Sequence, residues 1–255
     1  MTLTRDISRR PFWAALVLAL ALLAAGTPLR AQSGKENAEY KLAFGLYNDG
    51  MYELAVDQLK NFIAAYPSTA QGIEARFTLG LAQLKLSRFE EARVTFQEFA
   101  LTYTDHAKAP EAWLNVGEAY HALGNDREAA TAYERVRVFH PKSDQAPEAL
   151  LKASLLRRGI GDVSGARQTL ITLLQDYPAG TSTPHARLAL AELYASAGET
   201  DLALREARKV SEGSAPIAVR AAAYTTIGTI QKGLSLLAEA EAAFQSAASL
   251  SPASP

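Results

Sequence analysis

The chain has 255 residues, with 26 basic and 27 acidic side chains and no cysteine. The lack of cysteine excludes disulfides, thiolate metal sites and cysteine nucleophiles, as well as a lipidated cysteine behind an export signal. The net charge of −1 at neutral pH argues against nucleic acid or an anionic membrane surface as the main partner.

Residues 1–31 have the pattern of a cleavable export signal. Three arginines precede an unbroken apolar run of 14 residues from Phe12 to Ala25, and a short segment ending at Ala31 fits a signal-peptidase site. A membrane-spanning helix needs about 20 apolar residues. We therefore expect cleavage near Gln32, with an uncleaved membrane anchor as the alternative. The segment Ser8-Arg9-Arg10-Pro11-Phe12 also resembles the twin-arginine export motif, so the export route stays open.

Cleavage would leave residues 32–255, with 22 basic and 26 acidic side chains, because 1–31 hold four of the basic and one of the acidic residues. We expect this mature chain to be a soluble periplasmic protein. It would touch the membrane only through a partner or an uncleaved signal.

An alanine recurs every 37 residues through the rest of the chain, at Ala55, Ala92, Ala129, Ala166, Ala203 and Ala240. Twelve residues before each alanine stands a small residue: Ala43, Gly80, Gly117, Ser154, Ala191 and Gly228. Five residues before it stands glycine or serine: Gly50, Ser87, Gly124, Gly161, Gly198 and Ser235. Twelve residues after it, four of the six units have proline: Pro67, Pro141, Pro178 and Pro252. A constant period of this length indicates a repeat architecture.

Each column fits a helix–turn–helix unit. A small residue lets two helices cross closely, and the period alanine is expected to fill the facing position. Glycine or serine gives the turn its backbone freedom, and proline ends the second helix. The pattern predicts first helices near 38–48, 72–86, 108–123, 145–159, 183–197 and 217–233. It predicts second helices near 52–65, 88–102, 126–139, 162–176, 199–211 and 236–249.

Segments such as Phe89-Glu90-Glu91-Ala92 and Gly117-Glu118-Ala119-Tyr120 resemble the tetratricopeptide repeat. The resemblance implies an all-α, right-handed solenoid of six repeats, at about 36–72, 73–109, 110–146, 147–183, 184–220 and 221–255. Repeats ending in Tyr66-Pro67 or Tyr177-Pro178 resemble the subclass of bacterial envelope proteins that includes the Tol-Pal cell-division coordinator and the BamD lipoprotein. The sequence departs from both, since it has neither a coiled coil before the first repeat nor a cysteine after the signal.

Binding residues are expected on the first helices, which line the concave groove of such a stack. Helical geometry directs the side chains 15, 11 and 8 residues before the period alanine toward that side. Nine of the twelve side chains at these positions in the first four repeats are the groove candidates: Tyr40, Phe44, Tyr47, Phe77, Leu81, Leu84, Glu118, His121 and Arg158. An apolar residue 15 before the alanine also fits packing between helices, which is the favoured interpretation for Tyr40 and Phe77. Phe44 and Tyr47 fit either role.

The sequence holds no catalytic constellation, so we expect no enzymatic activity, no cofactor, no metal site and no small-molecule substrate. The four histidines do not have the spacing of metal ligands. Tyr40 and Phe44 replace the lysine and asparagine of a carboxylate clamp, so a peptide with apolar anchors fits the groove better. The expected function is a protein-binding adaptor or scaffold of the cell envelope. The alternative is a self-associating structural subunit of an envelope complex, for outer-membrane assembly or cell division, with the alanine-rich C-terminal end as its contact.

Overall fold

The computed structural model describes residues 33–250, and the predicted export signal and Pro252 lie outside these residues. Over this range the structure has twelve α-helices and no strand. Contacts divide the chain into two compact units, within Met1–Leu86 and Ser87–Pro255.

Unit 1 contains the first three helices. They are α1 (33–48), α2 (Tyr52–Ala65) and α3 (Ala70–Lys85). Buried residues of all three form one core, which includes Ala43 of α1, Ala55 and Leu59 of α2, and Ala75 and Leu79 of α3. Thr69 begins α3, because its hydroxyl accepts a hydrogen bond of 3.0 Å from the backbone N–H of Gly72.

Unit 2 contains nine helices within its described residues, and each of them packs against the next along the chain. They are α4 (Phe89–Thr102), α5 (Ala109–Ala122), α6 (Asp126–Phe139), α7 (Ala146–Gly159), α8 (Val163–Asp176), α9 (Thr183–Ser196), α10 (Thr200–Ser211), α11 (Ile217–Gly233) and α12 (Leu237–Leu250). Three first helices carry proline in their first turn, where the missing N–H costs no hydrogen bond: α5, α7 and α9.

The predicted helix bounds agree with the structure within two residues at every end except one. The exception is the start of α1, which was expected at 38 but is helical from 33. Its first turns are polar, and they are stabilised by a Lys35–Glu39 ion pair of 3.7 Å and by a 2.8 Å hydrogen bond from Gln71 to Asn37. The spacing of apolar residues, from which the helix was predicted, does not reveal such polar contacts.

The turn column is confirmed by the backbone. All six of its residues have positive φ: Gly50, Ser87, Gly124, Gly161, Gly198 and Ser235, with values from 56° to 81°. At the α5–α6 turn, the N–H of Asn125 donates to the carbonyl oxygen of Tyr120 at 2.9 Å across Gly124. This six-residue closure is the Schellman motif, which needs a left-handed residue at that point.

The small-residue column is also confirmed, since its members are buried in all six repeats. The side chain nearest to the small residue, however, stands four residues after the period alanine. A Cβ on Gly117 would lie 2.4 Å from the ring of Tyr133, and one on Gly228 would lie 2.8 Å from the ring of Phe244. The period alanines themselves are buried between the helices, with Ala129 at 0% exposure.

Candidate protein-binding face

The aromatic candidates of α1 pack on unit 1 and keep part of their surface exposed. The ring centroids of Tyr40 and Phe44 lie 4.2 Å apart, and that of Tyr40 lies 5.7 Å from Phe62 on α2. Tyr47 lies 5.6 Å from Tyr52. Tyr40, Phe44 and Tyr47 are all half-buried against the core. They therefore contribute to packing and still offer aromatic surface on one helix.

The first helices of repeats one and two are neighbours in unit 1. Besides the bond between Asn37 and Gln71, the carboxylate of Glu74 on α3 acts on Tyr40. Burial, and then the negative charge of Glu74, raise the pKa of Tyr40. Burial likewise raises the pKa of Tyr47, with a smaller effect from Tyr52. Both phenols therefore stay neutral and can present an apolar ring with a hydrogen-bonding hydroxyl.

On α3 the candidates divide into core and surface. Phe77 is only 2% exposed, which agrees with the packing interpretation favoured for it and leaves it outside the accessible surface. Leu81 and Leu84 are half-buried and keep accessible surface. We define the unit 1 face as Phe44 and Tyr47 on α1 together with Leu81 and Leu84 on α3.

The candidate Glu118 of unit 2 is already bound within the fold. It accepts a hydrogen bond of 2.5 Å from Lys152 on α7 and another from the hydroxyl of Tyr133 on α6. Burial alone would raise the pKa of Glu118, but Lys152 and Tyr133 outweigh it and hold the pKa below its usual range. Burial and the nearby charge of Glu118 raise the pKa of Tyr133.

The other two polar candidates of unit 2 also have intramolecular partners. The Nδ1 atom of His121 lies 2.5 Å from a carboxylate oxygen of Asp126, and Arg158 donates to Glu192 at 2.7 Å. Both pairs are exposed enough for solvent to screen them. A ligand that used these side chains would have to compete with their present partners.

A spacing of 34 residues joins neighbouring first helices, and the sequence analysis missed it. It relates Asn37 to Gln71, Glu118 to Lys152, and Arg158 to Glu192. The spacing is three residues shorter than the 37-residue repeat period. Residues 34 apart therefore lie opposite each other on consecutive first helices. Opposite charges at this spacing were the signal that could have identified the partners.

Arginines stacked on tyrosines form a second recurring contact that the sequence analysis missed. Arg93 lies 5.2 Å from the ring centroid of Tyr120, and Arg167 lies 5.1 Å from that of Tyr194. The two pairs occupy the same repeat positions, two units apart. Each joins a second helix to the next first helix.

Within residues 33–250, no group of three or more acidic or histidine side chains is placed to hold a metal ion. No helix in this range is both long and apolar enough to span a bilayer.

The sequence matches two models of the tetratricopeptide repeat, one over residues 77–147 and the other over 37–69 and 148–179. Together these matches cover slightly more than half of the chain. The chain belongs to the tetratricopeptide repeat family. Proteins of this family generally mediate protein–protein interaction, and the fold is typically a non-catalytic scaffold.

Three solved structures show the same fold. BtubC (BKLC) from P. vanneervenii has a TM-score of 0.57 at 15% identity, covering 79% of this chain and 88% of its own. MamA has a TM-score of 0.52 at 21% identity, with coverages of 68% and 94%. PilF from Pseudomonas aeruginosa has a TM-score of 0.53 at 15% identity, with coverages of 88% and 95%. No curated protein sequence matched the chain. These identities support the tetratricopeptide fold alone.

Proposed function

We propose that this tetratricopeptide protein is a non-enzymatic adaptor of the bacterial cell envelope that binds a protein or peptide on its first helices. The observation that carries the proposal is the unit 1 face, where Phe44, Tyr47, Leu81 and Leu84 are half-buried on two neighbouring helices. Aromatic and leucine side chains fixed in this way lose little entropy on binding, because packing already restricts them.

The chemistry of the unit 1 face favours a peptide with apolar anchors. On α1 the face offers the neutral phenol of Tyr47 and the ring of Phe44. On the first helices of unit 2, Glu118 and Arg158 are already paired with Lys152 and Glu192. A ligand would therefore gain more from burying apolar side chains on unit 1 than from displacing ion pairs on unit 2.

The envelope location rests on residues 1–31, whose arginines, apolar run and cleavage site are those of an export signal. The resemblance of its 37-residue repeats to envelope proteins of this family supports the same location. Cell fractionation with N-terminal sequencing tests it. We expect a periplasmic protein that begins near Gln32, whereas a membrane-bound form retaining Met1 would contradict the proposal.

Binding is tested by capture from envelope extract with wild type and four variants. Phe44→Ser and Tyr47→Ser should each weaken capture of the same partner. The double variant should weaken the binding free energy by about 2 kcal/mol or more. Leu54→Ser is the matched control, because Leu54 is a large apolar side chain of α2, 55% exposed and outside the unit 1 face. Circular dichroism must show unchanged helix content. If Leu54→Ser lost as much partner capture as the face variants do, the proposal would be contradicted.

A further inference from the structure

One stripe of each first helix is buried in every repeat but the first. Seventeen residues before the period alanine stands an alanine in all six repeats: Ala38, Ala75, Ala112, Ala149, Ala186 and Ala223. The last five are 0% exposed, whereas Ala38 is exposed. Thirteen residues before the period alanine stand Leu42, Leu79, Val116, Ala153, Leu190 and Ile227. The last five are again buried, whereas Leu42 is 53% exposed. We call Ala38 and Leu42 the N-terminal stripe.

Within unit 2 the stripe of α11 is covered by the preceding repeat. Val219 and Ala223 pack in one cluster with Val210 of α10 and Leu188 of α9. Ile227 packs with Ala207 of α10 in the next cluster. Leu188, Ala207 and Val210 thus form the surface that receives a first helix.

The last repeat presents the same receiving positions to solvent. Thirty-seven residues after Leu188, Ala207 and Val210 stand Thr225, Phe244 and Ala247. They line a cavity of about 500 Å³ between α11 and α12, together with Ala218, Ala221, Ala222 and Ala248. Phe244 is 36% exposed, whereas Ala207 at the equivalent position is 0% exposed. We call Thr225, Phe244, Ala247 and Ala248 the C-terminal socket.

We propose that the C-terminal socket of one copy of this protein receives the N-terminal stripe of a second copy, in a head-to-tail contact. The occupant is a second copy because the stripe and the socket are the two halves of a contact that the chain already makes between α11 and the α9–α10 pair. The stripe positions are buried in the repeats that follow another repeat, and they are exposed in repeat one. The socket position of Phe244 is buried as Ala207 in repeat five, and it is exposed in repeat six. The contact would continue the repeat packing from one molecule to the next.

A polar contact agrees with this pairing. On α11, Arg220 donates a hydrogen bond of 3.0 Å to the carbonyl oxygen of Ser211 at the end of α10. The equivalent of Arg220 on α1 is Lys35, which is exposed, and the equivalent of Ser211 on α12 is Ala248. A second copy bound in the same register would bring a basic side chain to the C-terminal carbonyls of α12, where a positive charge is favourable.

The contact is heterologous, since it joins two different surfaces, and this property makes it separable from the binding proposed for the unit 1 face. A heterologous contact can be blocked from either side, and each blocked copy keeps one intact half. The test follows from this asymmetry.

Sedimentation velocity over the micromolar to millimolar range measures self-association of protein expressed from the full-length gene. Leu42→Glu blocks the stripe, and Ala247→Glu blocks the socket. Each should weaken association about tenfold or more, because a charge enters an apolar contact. The matched controls are Leu54→Glu on α2, where the side chain is 55% exposed, and Ala242→Glu, which changes an exposed alanine of α12 outside the socket. Both controls should associate as wild type does.

Mixing the two blocked variants gives the decisive result. The Leu42→Glu copy keeps its socket and the Ala247→Glu copy keeps its stripe, so an equimolar mixture should form a one-to-one complex that neither variant forms alone. Wild type that stays monomeric over the whole range would overturn the proposal. So would a mixture that does not associate, or controls that fail together with the blocked variants. A socket that captures another protein while wild type remains monomeric would assign it to that protein instead.

Discussion

Gly117 of α5 lies under the ring of Tyr133 of α6, so closely that a Cβ at Gly117 would stand 2.4 Å from the nearest ring carbon. The ring has little freedom to withdraw, because Tyr133 is 2% exposed and its hydroxyl donates to Glu118. This approach fixes the distance between the two helices of repeat three. The same approach recurs in repeat six, where Gly228 lies under the ring of Phe244.

The variant Gly117→Ala should therefore lower the free energy of unfolding by about 1–3 kcal/mol, since overpacking outweighs the better helix propensity of alanine. Gly159→Ala is the control, because a Cβ on Gly159 of α7 would have no atom within 4 Å. Urea denaturation followed by circular dichroism measures both. Gly117→Ala that is as stable as Gly159→Ala would contradict the packing described for this crossing.

Ser235 holds the α11–α12 turn with a φ of 62°, in a region that costs a residue with a side chain about 1–2 kcal/mol. Ser235→Gly should relieve this strain and raise the unfolding free energy by up to about 1 kcal/mol, because the more flexible unfolded chain offsets part of the gain. Gly124→Ala at the equivalent turn, where φ is 77°, should destabilise the protein. Thermal unfolding measures the melting temperatures of the two variants. Shifts of the same sign in both would contradict this prediction.

The lowered pKa of Glu118 makes part of the stability depend on pH. Burial opposes ionisation of this carboxyl, but the hydrogen bonds from Lys152 and Tyr133 favour it. The stabilisation is complete above the usual glutamate pKa and is lost as the pH falls through the lower pKa of the folded state. Since Glu118 and Lys152 are 43% and 38% exposed, we expect less than about 1 kcal/mol. Glu118→Gln should be less acid-sensitive than wild type in urea titrations, and parallel pH curves would refute this.

Buried and exposed ion pairs should differ in their effect on stability. Glu206 of α10 is 5% exposed and accepts hydrogen bonds of 2.7 Å from both Arg187 and Lys209. Glu206→Ala leaves these cations without their buried partner and should cost roughly 2–4 kcal/mol. Glu192→Ala removes the exposed partner of Arg158 and should cost less than about 1 kcal/mol. Chemical denaturation of the two variants gives the comparison, and equal costs would contradict it.

The repeat period was sufficient to predict the helices and their turns, because the same backbone geometry imposes the same residue types in each unit. Gly124 and Ser235 illustrate this, since both were expected at turns and both have positive φ. The side-chain surface was harder to predict. Tyr40 and Phe77 occupy the same repeat position, yet Tyr40 is half-buried and Phe77 is fully buried. That difference depends on neighbouring helices, which one sequence period does not describe.

The partners of the charged candidates were beyond the sequence analysis for a similar reason. Glu118 and Arg158 were expected on a binding face, but the structure pairs them with Lys152 and Glu192. These partners lie 34 residues away, so they appear only when the offset between consecutive first helices is known. The sequence predicted an alanine-rich C-terminal end as a possible contact. It did not identify Leu42, in the N-terminal stripe, as the residue that matches this end.

Site-specific photo-crosslinking in living cells tests the proposed binding function most directly, since it needs no purified partner and leaves the rest of the chain unchanged. A photoreactive phenylalanine at Tyr47 should form a defined adduct with another protein, and so should one at Phe44. The same group at Leu54, which is 55% exposed on α2, should form none. An adduct of equal yield at Leu54, or none at Phe44 and Tyr47, would contradict the assignment of partner binding to the unit 1 face.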